Sequence, residues 1–277
     1  MSHTVFITGT SSGIGLATAK LFFEKGWNVV ATMRTPEKDT ELKQLDPARM
    51  LVQQLDVQDK STIDPAVQAA LKKFGKIDLL VNNAGYGQFG IFELLSPEKV
   101  KEQFDVNVFG VMDVTRAILP HFRAQKSGGI INISSGAGIF GLPFMSIYNA
   151  SKFALEGFTE SLAYELASLD IFVKSVIPHG AVSATNFGKR NPFDELAKAP
   201  EYGPFVQSTM EHFGKLVEGD LASSEDVAKS IHDAATDGTE RLRYYVGQDD
   251  RGWLKARYET TSDDEYVTYM HSYFRSS

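Results

Sequence analysis

Six short runs of β-branched and apolar residues, Thr4 to Thr8, Trp27 to Met33, Met50 to Leu55, Ile77 to Val81, Gly129 to Ser134 and Ile171 to Ile177, alternate with longer segments of helical spacing. Short, continuously apolar runs read as strands buried on both faces. The intervening segments Gly15 to Lys25, Thr62 to Phe74, Glu98 to Phe122 and Ala150 to Ser168 are long enough for helices. Strands joined by such crossovers lie parallel, since only a tight turn reverses the chain at once. A seventh run, Arg241 to Val246, follows a helical stretch from Ser224 to Ala235, where Ser223, Ser224 and Glu225 suggest an N-cap region. The expected class is α/β: a Rossmann-like, doubly wound, seven-stranded parallel sheet flanked by helices on both faces.

Two stretches break the alternation. Residues 183 to 222 carry Pro192, Pro200 and Pro204 among Phe and Gly, and a polar, aromatic tail follows Gly247. A long irregular segment in a compact fold is usually functional, so about 183–222 is expected to be a substrate lid, and residues 248–277 a tail within a single domain spanning 1–277. No run reaches the roughly 18 apolar residues of a membrane helix, and Met1 to Thr8 enter the first strand without a signal-like basic segment. A cytoplasmic protein without membrane contact is the expectation. The net charge of −7 and the lack of a dense basic run argue against a nucleic-acid surface. With no Cys and no H-E-x-x-H spacing, thiol chemistry is excluded and no metal is expected.

The first strand runs through Thr8 into Gly9-Thr10-Ser11-Ser12-Gly13-Ile14-Gly15 and then a helix. Glycines at a first β-α junction let backbone approach a diphosphate, and the helix N-terminus favours its charge. The spacing is G-x-x-x-G-x-G rather than G-x-G-x-x-G, so position in the fold carries the argument more than the glycines do. At the end of the second strand, where a carboxylate would accept from the adenosine ribose, stands Arg34. A guanidinium suits a 2′-phosphate, which favours NADP(H); a solvated Arg at a strand end is the alternative. Asp56 and Val57 follow the third strand, placed to meet an adenine. Asn82, Asn83, Ala84 and Gly85 follow the fourth, where the amides can either bridge strands or touch a ligand.

Among ten tyrosines only Tyr148 has a lysine four residues on, Lys152, which puts both on one face of a helix. A free phenol titrates near ~10 and donates a proton poorly at neutrality; a nearby ammonium and an oxidised nicotinamide would bring its acidity toward the working range. Ser135 leaves the fifth strand thirteen residues before Tyr148 and can orient a carbonyl at the same sheet edge. A serine hydrolase, drawing on Ser134, Ser135, His121 and His179, lacks a G-x-S-x-G elbow and has no use for the glycine loop. A non-catalytic NADP-binding sensor would have no use for the Ser-Tyr-Lys set.

Together, Thr8-Gly-x-x-x-Gly-Ile-Gly15, Asn82-Asn-Ala-Gly85, Asn107 in Asn-Val-Phe-Gly110, Ser135 after Ile-Asn-Ile-Ser134, and Tyr148-x-x-x-Lys152 resemble the short-chain dehydrogenase/reductase family over about residues 4 to 247. The resemblance implies NADPH-dependent reduction of a ketone or aldehyde. In it Tyr148 is the acid/base, Ser135 polarises the carbonyl, Lys152 binds the nicotinamide ribose and tunes Tyr148, and Asn107 holds a relay water. It also implies cofactor contacts from Asn83, Ala84 and Gly85, and from Pro178, Gly180 and Val182. The loop Pro178-His179-Gly180-Ala181-Val182-Ser183-Ala184-Thr185 departs from the family's Pro-Gly pattern. His179 there can face substrate, solvent or backbone. The implied partners are a small carbonyl or alcohol substrate and a second copy of the chain, in a homodimer or homotetramer built on Asp105–Phe122 and Ala150–Ser168. Phe140 to Met145, the 183–222 segment and residues near Tyr86 to Phe92 are expected to form the substrate pocket, suited to apolar or aromatic ketones.

Overall fold

A computed structural model describes residues 2–180, 196–216, 221–249 and 251–274. The chain runs β1 (Thr4–Thr8), α1 (Gly13–Glu24), β2 (Asn28–Met33), β3 (Met50–Gln54), α2 (Lys60–Phe74), β4 (Leu79–Asn82), α3 (Pro97–Phe104), α4 (Val111–Gln125), β5 (Gly128–Ile133), α5 (Ser146–Leu166), β6 (Ile171–Pro178), α6 (Gly203–Leu216), α7 (Ser224–Thr236), β7 (Arg243–Val246), α8 (Trp253–Glu259) and α9 (Asp263–Phe274). The strands form one parallel sheet in the order β3-β2-β1-β4-β5-β6-β7, the Rossmann-like arrangement expected.

Alternate residues of each central strand serve opposite faces. Val5 and Ile7 join Phe22, Val227 and Ile231 beneath α1 and α7. Phe6 joins Val67, Val114, Ile118 and Leu162 beneath α2, α4 and α5. Strand order reverses between β1 and β4, which opens a crevice at the carboxyl ends of the strands, where such sheets bind ligands. Local signals fix the helix starts. Asp59 accepts from Ser61 N–H at 3.0 Å before α2, Ser96 accepts from Lys99 N–H before α3 with Pro97 in the first turn, and Ser223 and Asp226 cap α7 reciprocally.

Three expectations change. The single helix expected from Glu98 to Phe122 is interrupted by a π-helical turn at Asp105–Gly110 between α3 and α4. Within the 183–222 segment, residues 183–195 and 217–220 lie outside the described residues. The part between is ordered into α6 and two short 3-10 turns, because Pro200 and Pro204 occupy helix-starting positions that need no N–H donor. The tail is likewise helical: Trp253 and Met270 of α8 and α9 pack on Phe140 and Ile177. No helix among the described residues is long and apolar enough to cross a membrane.

Candidate active site

The glycine loop is held by the strand next door. Thr8 Oγ1 accepts from the N–H groups of Asn83 and Ala84, both at 3.0 Å, and Asn83 Nδ2 donates to the carbonyls of Thr8 and Gly9 at 2.9 and 3.0 Å. Asn83 therefore shapes the loop with its side chain. Gly9 has φ +72°, and a Cβ there would sit 2.8 Å from Ala84 Cα; one on Gly15 would sit 2.3 Å from the Gly9 carbonyl oxygen. α1 starts at Gly13 with neither a side-chain cap from Ser12 nor an acid in its first turn, which leaves its N-terminal amides at the cavity without a capping group among the described residues.

That cavity, of about 810 Å³, runs from this helix end to the far side of β5. Arg34, Asp56 and Val57 line one end; Arg34 is exposed and enters no ion pair among the described residues. The Asp56 carboxylate accepts from Gln58 N–H at 3.1 Å, and Val57 packs against Gly110, where a Cβ would meet its side chain at 2.7 Å. The size and the anion-seeking glycine end fit a dinucleotide.

At the other end Ser135, Tyr148 and Lys152 share one wall. Ser135 caps a 3-10 turn, accepting from Ala137 N–H at 3.2 Å, and its hydroxyl bonds Tyr148. Tyr148 is 4% exposed. Burial pushes its phenol pKa well above the ordinary tyrosine range, and the bond from Ser135 pulls the other way. Lys152 lies one turn on, its Nζ 5.9 Å from the Tyr148 ring centre and donating to the Ile133 carbonyl at 2.8 Å; burial lowers its pKa to about 8 against the field of Glu156. Beyond them the cavity is bounded by Phe89, Phe140, Leu142, Met145, Phe213 and Trp253. This geometry sets a proton donor and a hydroxyl beside an apolar recess, at the end of a slot for an anionic ligand.

The chain is recognisable among known proteins. The short chain dehydrogenase profile matches residues 3–194. The chain belongs to the short-chain dehydrogenase family. The chain is 41% identical over 174 residues to the 3-ketodihydrosphingosine reductase of Bacteroides thetaiotaomicron, 63% of this chain and 62% of that reductase, so it spans less than two thirds of that relative's length. It is 38% identical over 221 residues to human retinol dehydrogenase 8, covering 77% and 69% of the two chains. The crystal structure of a short-chain dehydrogenase from Streptomyces avermitilis superposes with a TM-score of 0.80 at 33% identity, covering 98% and 95%. Similar folds have been solved with nicotinamide cofactors: ElxO with NADP (TM-score 0.74, 27% identity, 92% and 100% covered) and the Brucella melitensis 3-ketoacyl-(acyl-carrier-protein) reductase with NADH (0.70, 28%, 88% and 96%).

Of the residues singled out from the sequence, the fold brings Gly9, Ser11, Ser12, Gly13, Ile14, Gly15, Arg34, Asp56, Val57, Asn83, Ala84, Gly85, Ser135, Tyr148, Lys152, Pro178 and Gly180 to the cavity wall. Thr10 and Asn107 are not there. Thr10 turns inward, its N–H and hydroxyl both donating to the Thr32 carbonyl, which pins the loop to β2. Asn107 sits in the π-helical turn with its amide engaged by protein: Oδ1 accepts from Tyr86 N–H, and Nδ2 donates to Tyr86 O and Ser151 Oγ. Both Nδ2 hydrogens and one lone pair of Oδ1 are thus taken by protein. Val182 lies outside the described residues. His179 is buried at the cavity edge, facing the Gln248 backbone and Asp249, with burial lowering its pKa. Phe213 comes from the 183–222 segment expected to form the pocket and Trp253 from the tail after Gly247; which residues of these two segments reach the cavity is set by how α6 and α8 pack.

Proposed function

We propose that this protein reduces ketones or aldehydes to alcohols with NADPH, Tyr148 being the proton donor. The reading rests above all on one observation: Ser135 and the buried Tyr148 and Lys152 share a single cavity with the glycine loop. A bound nicotinamide supplies the hydride. Ser135 donates to the substrate oxygen and holds the carbonyl against the phenol. Tyr148 releases its proton to that oxygen as negative charge develops on it. The Lys152 ammonium makes this release feasible from a buried hydroxyl whose pKa burial alone would raise. The apolar recess excludes water from the reacting carbonyl.

For the cofactor, Arg34 supports NADPH over NADH: it is an exposed guanidinium, without an ion pair among the described residues, just after β2, where NAD-preferring folds place an acid. Arg34→Asp is expected to move the NADPH-to-NADH ratio of kcat/KM toward NADH by about 10- to 100-fold, the worth of one charged hydrogen-bonding contact. Equal use of both cofactors by the parent would remove the role given to Arg34. For the substrate, the aromatic and aliphatic end of the cavity supports a long apolar carbonyl compound. The relatives named for 3-ketodihydrosphingosine and retinol agree with that class. A ketone panel followed by loss of NADPH absorbance tests both together.

The same reading extends to association. Phe109, beside α4, and Phe153, on α5, are 52% and 42% exposed, which supports a homodimer or homotetramer on these elements. Phe109→Glu/Phe153→Glu is expected to release monomers in light-scattering chromatography, and an unchanged mass would refute this surface.

A further inference from the structure

Lys152 is a buried ammonium short of partners. It is 6% exposed, its Nζ donates to one carbonyl, that of Ile133, and it enters no ion pair among the described residues. Burial drives such a lysine toward the neutral amine. The acid that opposes this is Glu156, one turn further along α5 on the stripe that carries Tyr148 and Lys152.

Glu156 is itself 5% exposed and is fixed at both oxygens. Ser175 Oγ of β6 donates to Oε1, and Arg243 Nε of β7 donates to Oε2 at 2.7 Å. The turn that begins at Ser135 rests on it: a Cβ on Gly138 would lie 3.0 Å from Glu156 Cγ. Tying α5 to β7 does not call for this residue, since Arg243 also pairs with Glu160, which is 42% exposed and loses less hydration in doing so. Glu156 gives up more hydration than Glu160 to make its pair with Arg243.

We propose that Glu156 is a positioning residue: held by Ser175 and Arg243, its fixed negative charge keeps Lys152 an ammonium, and through Lys152 keeps Tyr148 competent to donate its proton. The proposal rests on the reduction reading above. The charged and titratable groups set against this pair are Tyr148 and Glu160 on α5 and Arg243 and Tyr245 on β7. β5, β6 and the serine turn contribute the neutral Ile133 carbonyl, Ser175 and Gly138.

The test compares the parent with Glu156→Gln, which keeps the shape and removes the charge, and Glu156→Asp, which keeps the charge. Two readouts are taken on the full chain: the ¹³Cε titration of Lys152, assigned with Lys152→Arg, and kcat for ketone reduction at saturating NADPH against pH. A lysine is charged below its pKa, so a lower pKa means that charge is lost earlier as pH rises. In the parent, burial is expected to place the Lys152 titration below the ordinary lysine range, at about 8. In Glu156→Gln the titration and the alkaline fall of kcat both move to lower pH, by about one unit for loss of a nearby opposite charge; Glu156→Asp keeps the parent profile. An unmoved Lys152 titration in Glu156→Gln overturns the proposal, as does an equal loss of kcat at every pH in both variants. If Glu156→Gln does not fold, a Glu156→Asp whose Lys152 titration or alkaline limb departs from the parent's is the overturning result. Absence of any ketone turnover in the parent refutes the reduction reading, while the Lys152 titration still decides the charge claim.

Discussion

Tyr148→Phe is expected to lower carbonyl reduction by about 10²- to 10⁴-fold, the usual contribution of a positioned general acid, while NADPH affinity stays at the parent value. The ring is what packs: it stands 6.1 Å from the Phe89 ring and beneath Lys152, and phenylalanine preserves both contacts. Only the hydroxyl that bonds Ser135 is lost. The glycine loop, clamped by Thr8 and Asn83 on the far side of the cavity, does not depend on it. Fluorescence titration with NADPH and single-turnover reduction separate the two quantities. Parental turnover in Tyr148→Phe would remove this residue from the chemistry.

The second large effect is expected at Gly15. An alanine methyl there would fall 2.3 Å from the Gly9 oxygen and 2.4 Å from Asn83 Nδ2. Neither can yield cheaply, because Asn83 Nδ2 already bonds the carbonyls of Thr8 and Gly9, and Gly9 needs its positive φ. Gly15→Ala is therefore expected to destabilise the fold by about 1–3 kcal/mol through overpacking and to abolish measurable NADPH binding by distorting the loop. Thermal unfolding with and without NADPH reads both, since a ligand that binds the folded state raises its melting temperature. The variant should melt lower than the parent and show no NADPH-dependent rise; parental values for both would contradict the close approach.

Much of this architecture was legible because the strands are buried on both faces. Val5, Phe6 and Ile7 are fully buried, so no polar alternation interrupts the signal. The Tyr148-Lys152 pair was legible because a separation of four is a helical neighbour relation. What escaped depended on contacts distant in sequence. Nothing near Asn107 announces that its amide will close on the Tyr86 backbone, and nothing near Asn83 favours the loop carbonyls over a ligand. Pro200 and Pro204 read as breakers until they fall at helix starts. Glu156 is a third polar residue on the Tyr148-Lys152 stripe. In sequence a Lys-Glu spacing of four looks like an exposed pair, and only Ser175 and Arg243 reveal it as a buried one.

Reduction as proposed requires a bound nicotinamide and the residue 148 phenol to act on one carbonyl in this cavity. The most direct measurement incubates the protein with NADPH deuterated at C4, each epimer in turn, and long-chain and aryl ketones, and analyses the alcohols by mass spectrometry and NMR. Deuterium at the carbinol carbon from one epimer only is the predicted result; unconsumed NADPH across the panel, or alcohol free of deuterium with both epimers, would contradict it.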